Sequence, residues 1–594
     1  MAEPKREYER RLEDRTRAVA EKERLHVRAG NAKLAVLVAS FVVAWAALGR
    51  HWISSYWIFA AVAAFAVLFV WHERILRARA MAERGAAFYR RGIARIEDKW
   101  AGTGTTGERF RDEKHVYAED LDLFGRGSVF ELISAARTPM GEERLAAWLL
   151  EPAALPVILE RQRTIGELRE RVDFREDLAL AGEELSGQLN PKALAEWAEM
   201  PRALPTAIWR VVALALAVGS IVTLAWGGQA MNFWPFVVAL GAAAIFRRAF
   251  RKRTEQVLGS MDSDPQGLDL FSRTVARIER EMFESPRLEQ FARELKADRA
   301  AAAIGRLAKI AYWIEARESF MFRVLDFGLL LTVQTAYAAE GWRARWGKRM
   351  RVWIEAVAEM EAIVSLAGYA YEHPSDPFPE VVAGETGAAF FDGMELEHPL
   401  IPAARSVGNS VRLDAARRLL IVSGSNMSGK STLLRAVGVN AVLAMAGAPI
   451  RGKSLRMMPL ALGTRIRSVD SLLEGRSNFY TEILRIRQVF DRSGQAIPVL
   501  FLFDELLEGT NSKDRRIGAE GLLRAFIGRG AIGIVTTHDL ALTEIAREMG
   551  SAAANAHFED RVEDGEMRFD FRLRPGVVER SNAIELMRLV GLKV

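Results

Sequence analysis

Apolar residues along this chain are concentrated in a few long runs that are separated by charged stretches. Residues 34–49 carry no charge, and residues 52–71 form a second uncharged run of twenty residues. At about 1.5 Å per helical residue, a run of that length crosses the roughly 30 Å hydrocarbon core of a bilayer. The pattern therefore predicts a transmembrane hairpin over residues 34–71. Residues 1–33 are dense in charges of both signs and predict a cytoplasmic helix before it.

A second apolar stretch lies near the middle of the chain. Residues 211–246 carry no charge, and Gly227, Gly228 and Pro235 divide them into two short helices. We therefore predict a second transmembrane hairpin over residues 207–246. Basic residues crowd the outer ends of both hairpins, which places the soluble segments in the cytoplasm and the chain at the cytoplasmic membrane. Buried helical hairpins in a soluble protein are the alternative interpretation.

The remaining segments differ in their periodicity. Residues 85–205 and 250–371 are typical of helices, whereas from residue 384 short β-rich runs alternate with amphipathic helices. Such alternation is typical of an α/β domain with a parallel sheet. The predicted fold class is an α/β domain over residues 384–594, C-terminal to an all-helical domain in two parts, with two transmembrane hairpins.

The clearest chemical signal is a glycine-rich loop between a strand and a helix. An apolar strand over residues 419–423 runs into G-x-x-x-x-G-K-S-T, and a helix follows. This is a P-loop, in which backbone N–H groups and a helix N-terminus surround phosphates. Lys430 would contact the β- and γ-phosphates of ATP, and Ser431 would bind Mg²⁺. The candidate nucleotide-binding residues are Gly424, Ser425, Asn426, Met427, Ser428, Gly429, Lys430, Ser431 and Thr432.

Two further strands end in polar residues that suit catalysis beside a P-loop. The strand over residues 498–503 leads into Asp504 and Glu505, and the strand over residues 531–536 leads to His538. Asp504 is the candidate second ligand of Mg²⁺, and Glu505 the candidate residue that orients or polarises the attacking water. His538 is a candidate partner of the γ-phosphate or the water. With Lys430, Glu505 and His538 form the predicted catalytic set.

A helix start between these strands has two interpretations. Ser477 and Asn478 open a helix, and either side chain can act as its N-cap. The functional alternative is that this helix start faces the γ-phosphate held by a partner subunit.

Composition excludes several classes of function. With 594 residues the chain is too long for one core, so several domains are expected. It contains no Cys, which excludes disulfides, thiolate metal sites and a Cys nucleophile. The 82 basic and 76 acidic residues leave a net charge of +6, too small an excess to indicate a nucleic-acid partner.

Taken together, these motifs resemble the MutS family of ABC-type ATPases. Asp504–Glu505 followed by Gly509–Thr510 is similar to the family's Asp-Glu-x-x-x-Gly-Thr, and Thr537–His538 is similar to its switch histidine. The resemblance implies ATP and Mg²⁺ as cofactors and a homodimer in which Ser477 and Asn478 form a signature acting on the partner's nucleotide. It also implies that His557 lies near the adenine, and that residues 581–592 form a closing helix.

The resemblance extends less strongly to the helical region, which would be the family's core and lever domain. It implies DNA as the target of the levers, in mismatch repair or a related process. The first hairpin stands where the family has its mismatch-reading domain, so we expect that domain to be missing. Two other functions stay open on the sequence alone, an ABC-type transport ATPase and an ATP-switched dimeric scaffold at the membrane without DNA specificity.

One basic and aromatic stretch is a candidate DNA contact. Residues 342–351 combine five cations with two Trp residues, which suits phosphate contacts and base stacking. The alternatives are a helix that packs its Trp residues inward and a helix at the membrane surface.

Overall fold

The structure is a computed structural model that describes residues 3–50, 52–185, 189–206, 208–261, 264–384, 388–425, 427–466, 478–563 and 566–577. The chain divides into two compact units. The first comprises Met1–Gly104 with Tyr371–His373, and the second comprises Thr105–Ala370 with Pro374–Val594.

Helices make up most of the described chain. They are α1 (Pro4–Ala44), α2 (Tyr56–Ile96), α3 (Val129–Ile133), α4 (Pro139–Leu150), α5 (Leu155–Arg169), α6 (Val172–Leu185), α7 (Pro191–Glu199), α8 (Ile208–Ala230), α9 (Trp234–Leu258), α10 (Pro265–Arg280), α11 (Pro286–Asp298), α12 (Ala300–Glu315), α13 (Phe320–Leu329), α14 (Leu331–Glu372), α15 (Lys430–Ala446), α16 (Asn478–Arg492), α17 (Ser512–Gly528) and α18 (Leu540–Glu548). The strands are β1 (Glu380–Val381), β2 (Phe391–Leu396), β3 (Asn409–Leu413), β4 (Leu419–Ser423), β5 (Ser454–Met457), β6 (Ala461–Arg465), β7 (Val499–Phe503), β8 (Ile532–Thr537), β9 (Ala553–Glu563) and β10 (Glu566–Pro575).

The first unit is built on the pairing of α1 with α2. Proline at the first helical position starts α1, where a missing N–H costs nothing. Near that end the Tyr8 ring is fully buried, and a Cβ added at Gly92 would lie 2.4 Å from it, so only glycine allows the two helices to approach here. Arg95 and Glu372 form a buried two-bonded ion pair beside Tyr8, with both distances 2.5 Å. Because the pair is buried, loss of either side chain would leave the other charge uncompensated in the interior.

Three helices in the described part of the chain are long and apolar enough to cross a membrane. They are Pro4–Gly49, Tyr56–Ile96 and Ile208–Ala230. Their apolar side chains are largely exposed, as with Phe41 at 69% and Phe59 at 73%. Exposed apolar surface on this scale is unusual for a soluble monomer and indicates a membrane or protein partner.

The fourth predicted span is not among these helices. Trp234–Leu258 is continuous and contacts α8, but Arg247, Arg248 and Arg251 lie within its middle turns. A bilayer-length window of this helix therefore contains too many charges. The predicted second transmembrane hairpin is not confirmed, and only its first helix has the composition of a span.

The basic and aromatic stretch of α14 packs inward. Trp342 is buried and donates its indole N–H to the Ala303 carbonyl oxygen at 2.7 Å, while Arg349 and Arg351 pair with Asp298 and Glu199. Two of its five cations are therefore paired with acids of neighbouring helices. This arrangement favours the packing interpretation of residues 342–351 over a DNA contact.

The C-terminal α/β region contains two sheets. Six described strands form one sheet in the order β10-β9-β4-β8-β7-β6, parallel except for β10, which is antiparallel to β9. The other sheet has the order β1-β5-β2-β3. Every residue of β4, β7 and β8 is buried, as expected for parallel strands covered on both faces. Their apolar runs explain why sequence alone located them to within one residue.

Candidate nucleotide-binding site

The candidate site lies where parallel strands end at one edge of the six-stranded sheet. Ser423 at the end of β4 is paired with Thr537 at the end of β8, and β7 lies on the other side of β8. The segments that follow these strands are the P-loop, Asp504–Glu505 and His538. Open α/β sheets bind ligands at this edge, because the carboxyl ends of neighbouring strands leave a crevice there.

Two glycines give the P-loop its shape. A Cβ at Gly424 would lie 2.7 Å from the Ser428 hydroxyl, closer than side-chain carbons approach in folded proteins. Gly429 has φ of +107°, a conformation that side chains disfavour, and it directly precedes Lys430 at the start of α15. Met427 also has positive φ, at +74°, and its side chain is 85% exposed at the tip of the loop. The loop thus surrounds the N-terminus of α15 with backbone.

Buried polar atoms of the loop suit a phosphate ligand. The Ser425 and Ser428 hydroxyl oxygens are buried without a hydrogen-bond partner among the described residues. An unpaired buried hydroxyl is costly, and a bound phosphate oxygen would supply the missing acceptor. The N-terminus of α15 adds the positive end of a helix dipole at the same place. These residues therefore fit an ATP phosphate chain.

Lys430 lies in the centre of this arrangement. It is 5% exposed, and its Nζ donates to the carbonyl oxygens of Gly424 and Ser425 at 2.8 and 2.9 Å. Its Nζ also lies 3.7 Å from the Glu505 carboxylate. Burial lowers the pKa of Lys430 from its ordinary value, and the carboxylates of Glu505 and Asp504 oppose that shift. The paired charge is thus held beside the P-loop backbone.

The predicted metal ligands are in direct contact. The Ser431 hydroxyl donates to Asp504 Oδ2 at 2.5 Å, and the Thr536 hydroxyl donates to the other carboxylate oxygen. A hydroxyl and a carboxylate are hard oxygen donors, which Mg²⁺ prefers in combination with phosphate and water. Ser431 and Asp504 therefore fit a Mg²⁺ ion bound with ATP, and Thr536 fixes the carboxylate that would hold it.

The candidate catalytic carboxylate has an unusual backbone. Glu505 has φ of +52°, in the left-handed region, and its N–H donates to the Thr536 carbonyl oxygen at 3.1 Å. Its Oε2 lies 2.5 Å from Nδ1 of His538. A non-glycine residue in this region is held there by its surroundings, often at functional sites. The Glu508 carboxylate lies nearby. Glu505, Glu508 and His538 each have one potential metal-ligating atom, and these three atoms lie within 4.8 Å of one another.

Several residues at the site were not predicted as functional. Thr536 holds Asp504, and Arg465 at the end of β6 donates to the Asp504 carbonyl oxygen at 3.0 Å. Phe558 is 1% exposed and packs against Gly424, while Phe571 lies 3.2 Å from where a Cβ of Gly429 would be. Thr536 and Arg465 could have been predicted from the sequence, because both lie at or next to the end of a strand. The two Phe residues come from β9 and β10, and their approach to the loop follows from strand order.

Some predicted site residues are not tested by this arrangement. Asn426, Ser477 and the segment 581–592 lie outside the described residues. Asn478 is the first residue of α16, but its side chain is likewise outside the description. His557 lies on β9 in register with Ser423, and its Nδ1 lies 3.2 Å from the Gly576 carbonyl oxygen. It is therefore beside the P-loop strand, and adenine contact stays a prediction.

The P-loop, the Ser431–Asp504 pair and the Glu505–His538 pair define a P-loop nucleotide-binding domain with a central parallel sheet. Comparison with known proteins narrows this class. Residues 420–593 match the family described as MutS domain V. The C-terminal domain thus has the sequence character of the MutS family's ATPase domain.

Individual similar proteins are also members of that family by name. The chain is 31% identical over 260 residues to the DNA mismatch repair protein MutS 1 of Halobacterium salinarum, which covers 42% of this chain and 28% of the relative. It is 33% identical over 203 residues to the endonuclease MutS2 of Thermus thermophilus, covering 33% of this chain and 25% of the relative. The matches thus span less than a third of either relative.

Proposed function

We propose that the chain is a MutS-type ATPase that is anchored in the cytoplasmic membrane and couples ATP binding and hydrolysis to DNA binding. The observation that carries the ATPase is the convergence of Lys430, the Ser431–Asp504 pair and the Glu505–His538 pair at one sheet edge. In this scheme Lys430 binds the phosphates, Ser431 and Asp504 hold Mg²⁺, and Glu505 orients the water with His538 as its hydrogen-bond partner.

The ATPase is tested on the purified full-length chain in detergent or liposomes. We expect Mg²⁺-dependent release of phosphate that chelation abolishes, and nucleotide binding that Lys430→Ala removes. A chain that binds Mg²⁺-ATP and dimerises but never releases phosphate contradicts the enzyme and favours the ATP-switched scaffold.

DNA as a partner is supported by several relatives that match over more than 250 residues and are named DNA mismatch repair proteins. The test titrates duplex, mismatched, branched and single-stranded DNA against the full chain over a salt series, with and without ATP. Phosphate contacts make affinity fall steeply with salt, so low-salt conditions are the most permissive. Absence of binding at low salt contradicts the DNA part of the proposal and leaves the ATPase intact.

We also propose that two chains form a homodimer that shares its nucleotide-binding sites. If Ser477 completes the partner's site, the Lys430→Ala and Ser477→Arg chains are inactive alone but complement each other when co-expressed. About half of randomly assorted dimers are mixed and each contains one intact site, so about a quarter of wild-type activity is expected. Failure of the two variants to complement contradicts the shared site.

Membrane anchoring is supported by the three apolar helices whose side chains are largely exposed. The full chain is expected to float with liposomes through a density gradient and to resist extraction by high salt. A chain that high salt releases is bound at the surface by charge, which contradicts anchoring.

A further inference from the structure

The short helix α13 exposes an apolar face that its own domain does not cover. Exposed fractions are 76% for Phe320, 66% for Met321, 54% for Val324 and 45% for Leu325. At 100° per residue these positions fall on one side of the helix, together with Gly328. Phe322 and Asp326 fall on the opposite, buried side. The side chains on this face are thus all apolar, and the exposed Arg323 lies at its margin.

Helix α13 packs against the second pair of apolar helices at its C-terminal end, where Gly328 closes the apolar face. α13 contacts both α8 and α9. A Cβ at Gly328 would lie 3.3 Å from the Leu240 side chain and 3.8 Å from that of Ser220. Ser220 is near the middle of α8, which has the composition of a membrane span. The C-terminal end of α13 therefore lies at the level of the middle of that helix.

The polar residues of α13 are arranged as expected beside a bilayer. Asp326 is buried, accepts a hydrogen bond from the Thr332 N–H at 2.7 Å and lies 3.7 Å from the Arg247 guanidinium. Arg247 also lies over the Phe327 ring, 5.1 Å from its centroid. The acid is thus neutralised on the protein side. Arg323 donates to the Glu318 carbonyl oxygen, beyond the N-terminal end of α13.

We propose that the apolar face of α13 lies in the bilayer beside α8, so that the helical domain itself, and not only its spanning helices, contacts lipid. The inference rests on the proposed membrane anchoring. The supporting observation is continuity of apolar surface, because the Gly328 end of this face packs against α8 and α9, whose own apolar side chains are exposed, such as Val222 at 58% and Val238 at 68%. At ten residues, or about 15 Å, α13 is too short to cross a bilayer and suits partial insertion.

The partner of this face is lipid hydrocarbon rather than a second copy of the chain. A cluster of basic side chains follows the apolar part of α9. Its members are Arg247, Arg248, Arg251, Lys252 and Arg253. Such a cluster suits anionic headgroups at a membrane surface and disfavours an identical, equally basic partner. Insertion of α13 would place the turns that connect it to α12 and to α14 at the membrane.

The absence of Cys allows a direct test, because any introduced Cys is the only thiol in the chain. Val324→Cys reports α13 and Val222→Cys reports α8. Ile517→Cys is the matched control, since Ile517 is an apolar residue of α17 that is 63% exposed. Each full-length variant is labelled with an environment-sensitive fluorophore and reconstituted into vesicles of phosphatidylcholine and phosphatidylglycerol. Quenching is measured with nitroxide lipids and with aqueous iodide, and nucleotide binding checks the fold.

We expect nitroxide lipids to quench the labels at positions 324 and 222 to a similar degree, with iodide quenching several-fold weaker than at position 517. Iodide quenching at 324 equal to that at 517, with 222 still quenched by lipid, overturns the inference and leaves anchoring intact. A label at 324 shielded from both quenchers also overturns it and indicates a protein partner. Strong iodide quenching at 222 contradicts insertion of α8 and therefore also overturns the inference, while anchoring through α1 and α2 is tested separately by flotation.

Discussion

Nδ1 of His538 lies 2.5 Å from Oε2 of Glu505, so the end of β8 positions the carboxylate that follows β7. The left-handed backbone of Glu505 directs that carboxylate towards Lys430, 3.7 Å away. The carboxylate is thus held between a cation and an imidazole. This arrangement orients a hydrogen-bond acceptor next to the phosphate-binding loop, which is what activation of water requires.

Replacement of that carboxylate separates binding from turnover. Glu505→Gln keeps the size and one acceptor oxygen but cannot polarise water as an anion. We expect kcat for ATP to fall by about 10²–10⁴-fold, the usual contribution of a general base, with nucleotide affinity changed less than about threefold. Phosphate release and equilibrium binding of a fluorescent nucleotide measure the two effects.

The matched control is Glu544→Gln, at a partly exposed position of α18 whose carboxylate pairs only with Arg547 in the described structure. It is expected to leave both quantities near wild type. Equal loss of binding and turnover in Glu505→Gln would mean that the carboxylate acts through the fold of the loop rather than on water.

A second prediction concerns the hydroxyl that holds the metal-binding carboxylate. Thr536 is fully buried and donates to Asp504, so Thr536→Val preserves shape but leaves a carboxylate oxygen without that donor. We expect the Mg²⁺ concentration for half-maximal ATPase activity to rise by about 10-fold, the lower end of the effect of losing such a supporting residue. A Mg²⁺ titration at saturating ATP measures it.

Thr543→Val is the control for that change, because Thr543 is also buried but donates to the Leu540 carbonyl oxygen within α18. It is expected to shift stability slightly and the Mg²⁺ dependence not at all. An unchanged Mg²⁺ requirement in Thr536→Val would show that Asp504 does not need this hydrogen bond to bind the ion.

A third prediction follows from the loop glycine at the start of α15. Gly429→Ala places a Cβ where φ is +107° and 3.2 Å from the Phe571 ring. The loop must change conformation to relieve both, so we expect nucleotide affinity to fall by at least about 10-fold, corresponding to about 1.4 kcal/mol. Equilibrium nucleotide binding measures the effect.

Gly521→Ala provides the contrast in the same domain. Gly521 is in the interior of α17, and a Cβ there would meet no atom within 4 Å. That substitution is expected to stabilise the chain by about 0.4–1 kcal/mol without changing nucleotide affinity. If both glycine variants bound nucleotide like wild type, the loop would not need the backbone of Gly429.

The strands and the P-loop could be predicted because their signals are local. A fully apolar run such as β7 and a glycine at the start of α15 are visible within a few residues. Asp504 and Glu505 were predictable for the same reason, since they follow a buried strand directly. Their proximity to His538 then required only that β7 and β8 be parallel neighbours.

Other features depend on strand order and helix packing, which local patterns do not contain. Phe558 and Phe571 reach the P-loop because β9 lies next to β4 and β10 next to β9. The apolar face of α13 was missed because ten residues produce no membrane-length run. The second hairpin is not confirmed, because the predicted apolar segment ends at residue 246 whereas α9 continues through the Arg cluster to Leu258.

The last prediction concerns a buried acid of the helical domain. Glu361 of α14 is 3% exposed and accepts hydrogen bonds from the Thr138 hydroxyl at 2.6 Å and the Thr138 N–H at 3.2 Å. Burial raises the pKa of Glu361 to about 7, although Thr138 and the Arg137 guanidinium oppose that rise. The folded chain therefore binds a proton at Glu361 over a pH range in which the unfolded chain has released it.

The difference in proton binding between the folded and unfolded states determines whether stability rises or falls with pH. Between about pH 4.5 and pH 7 the folded state binds more protons at this residue than the unfolded state, so its contribution to stability falls as pH rises. A shift of this size corresponds to about 3 kcal/mol across the window. We expect Glu361→Gln, a neutral mimic of the protonated acid, to be near wild type at pH 5 and more stable than wild type at pH 8, which removes this decline. Glu355→Gln, at an exposed position of the same helix, is expected to retain it. Denaturant unfolding of the full chain in detergent at pH 5 and pH 8 measures the difference, and a decline of wild-type size in Glu361→Gln would assign the pH dependence to other groups.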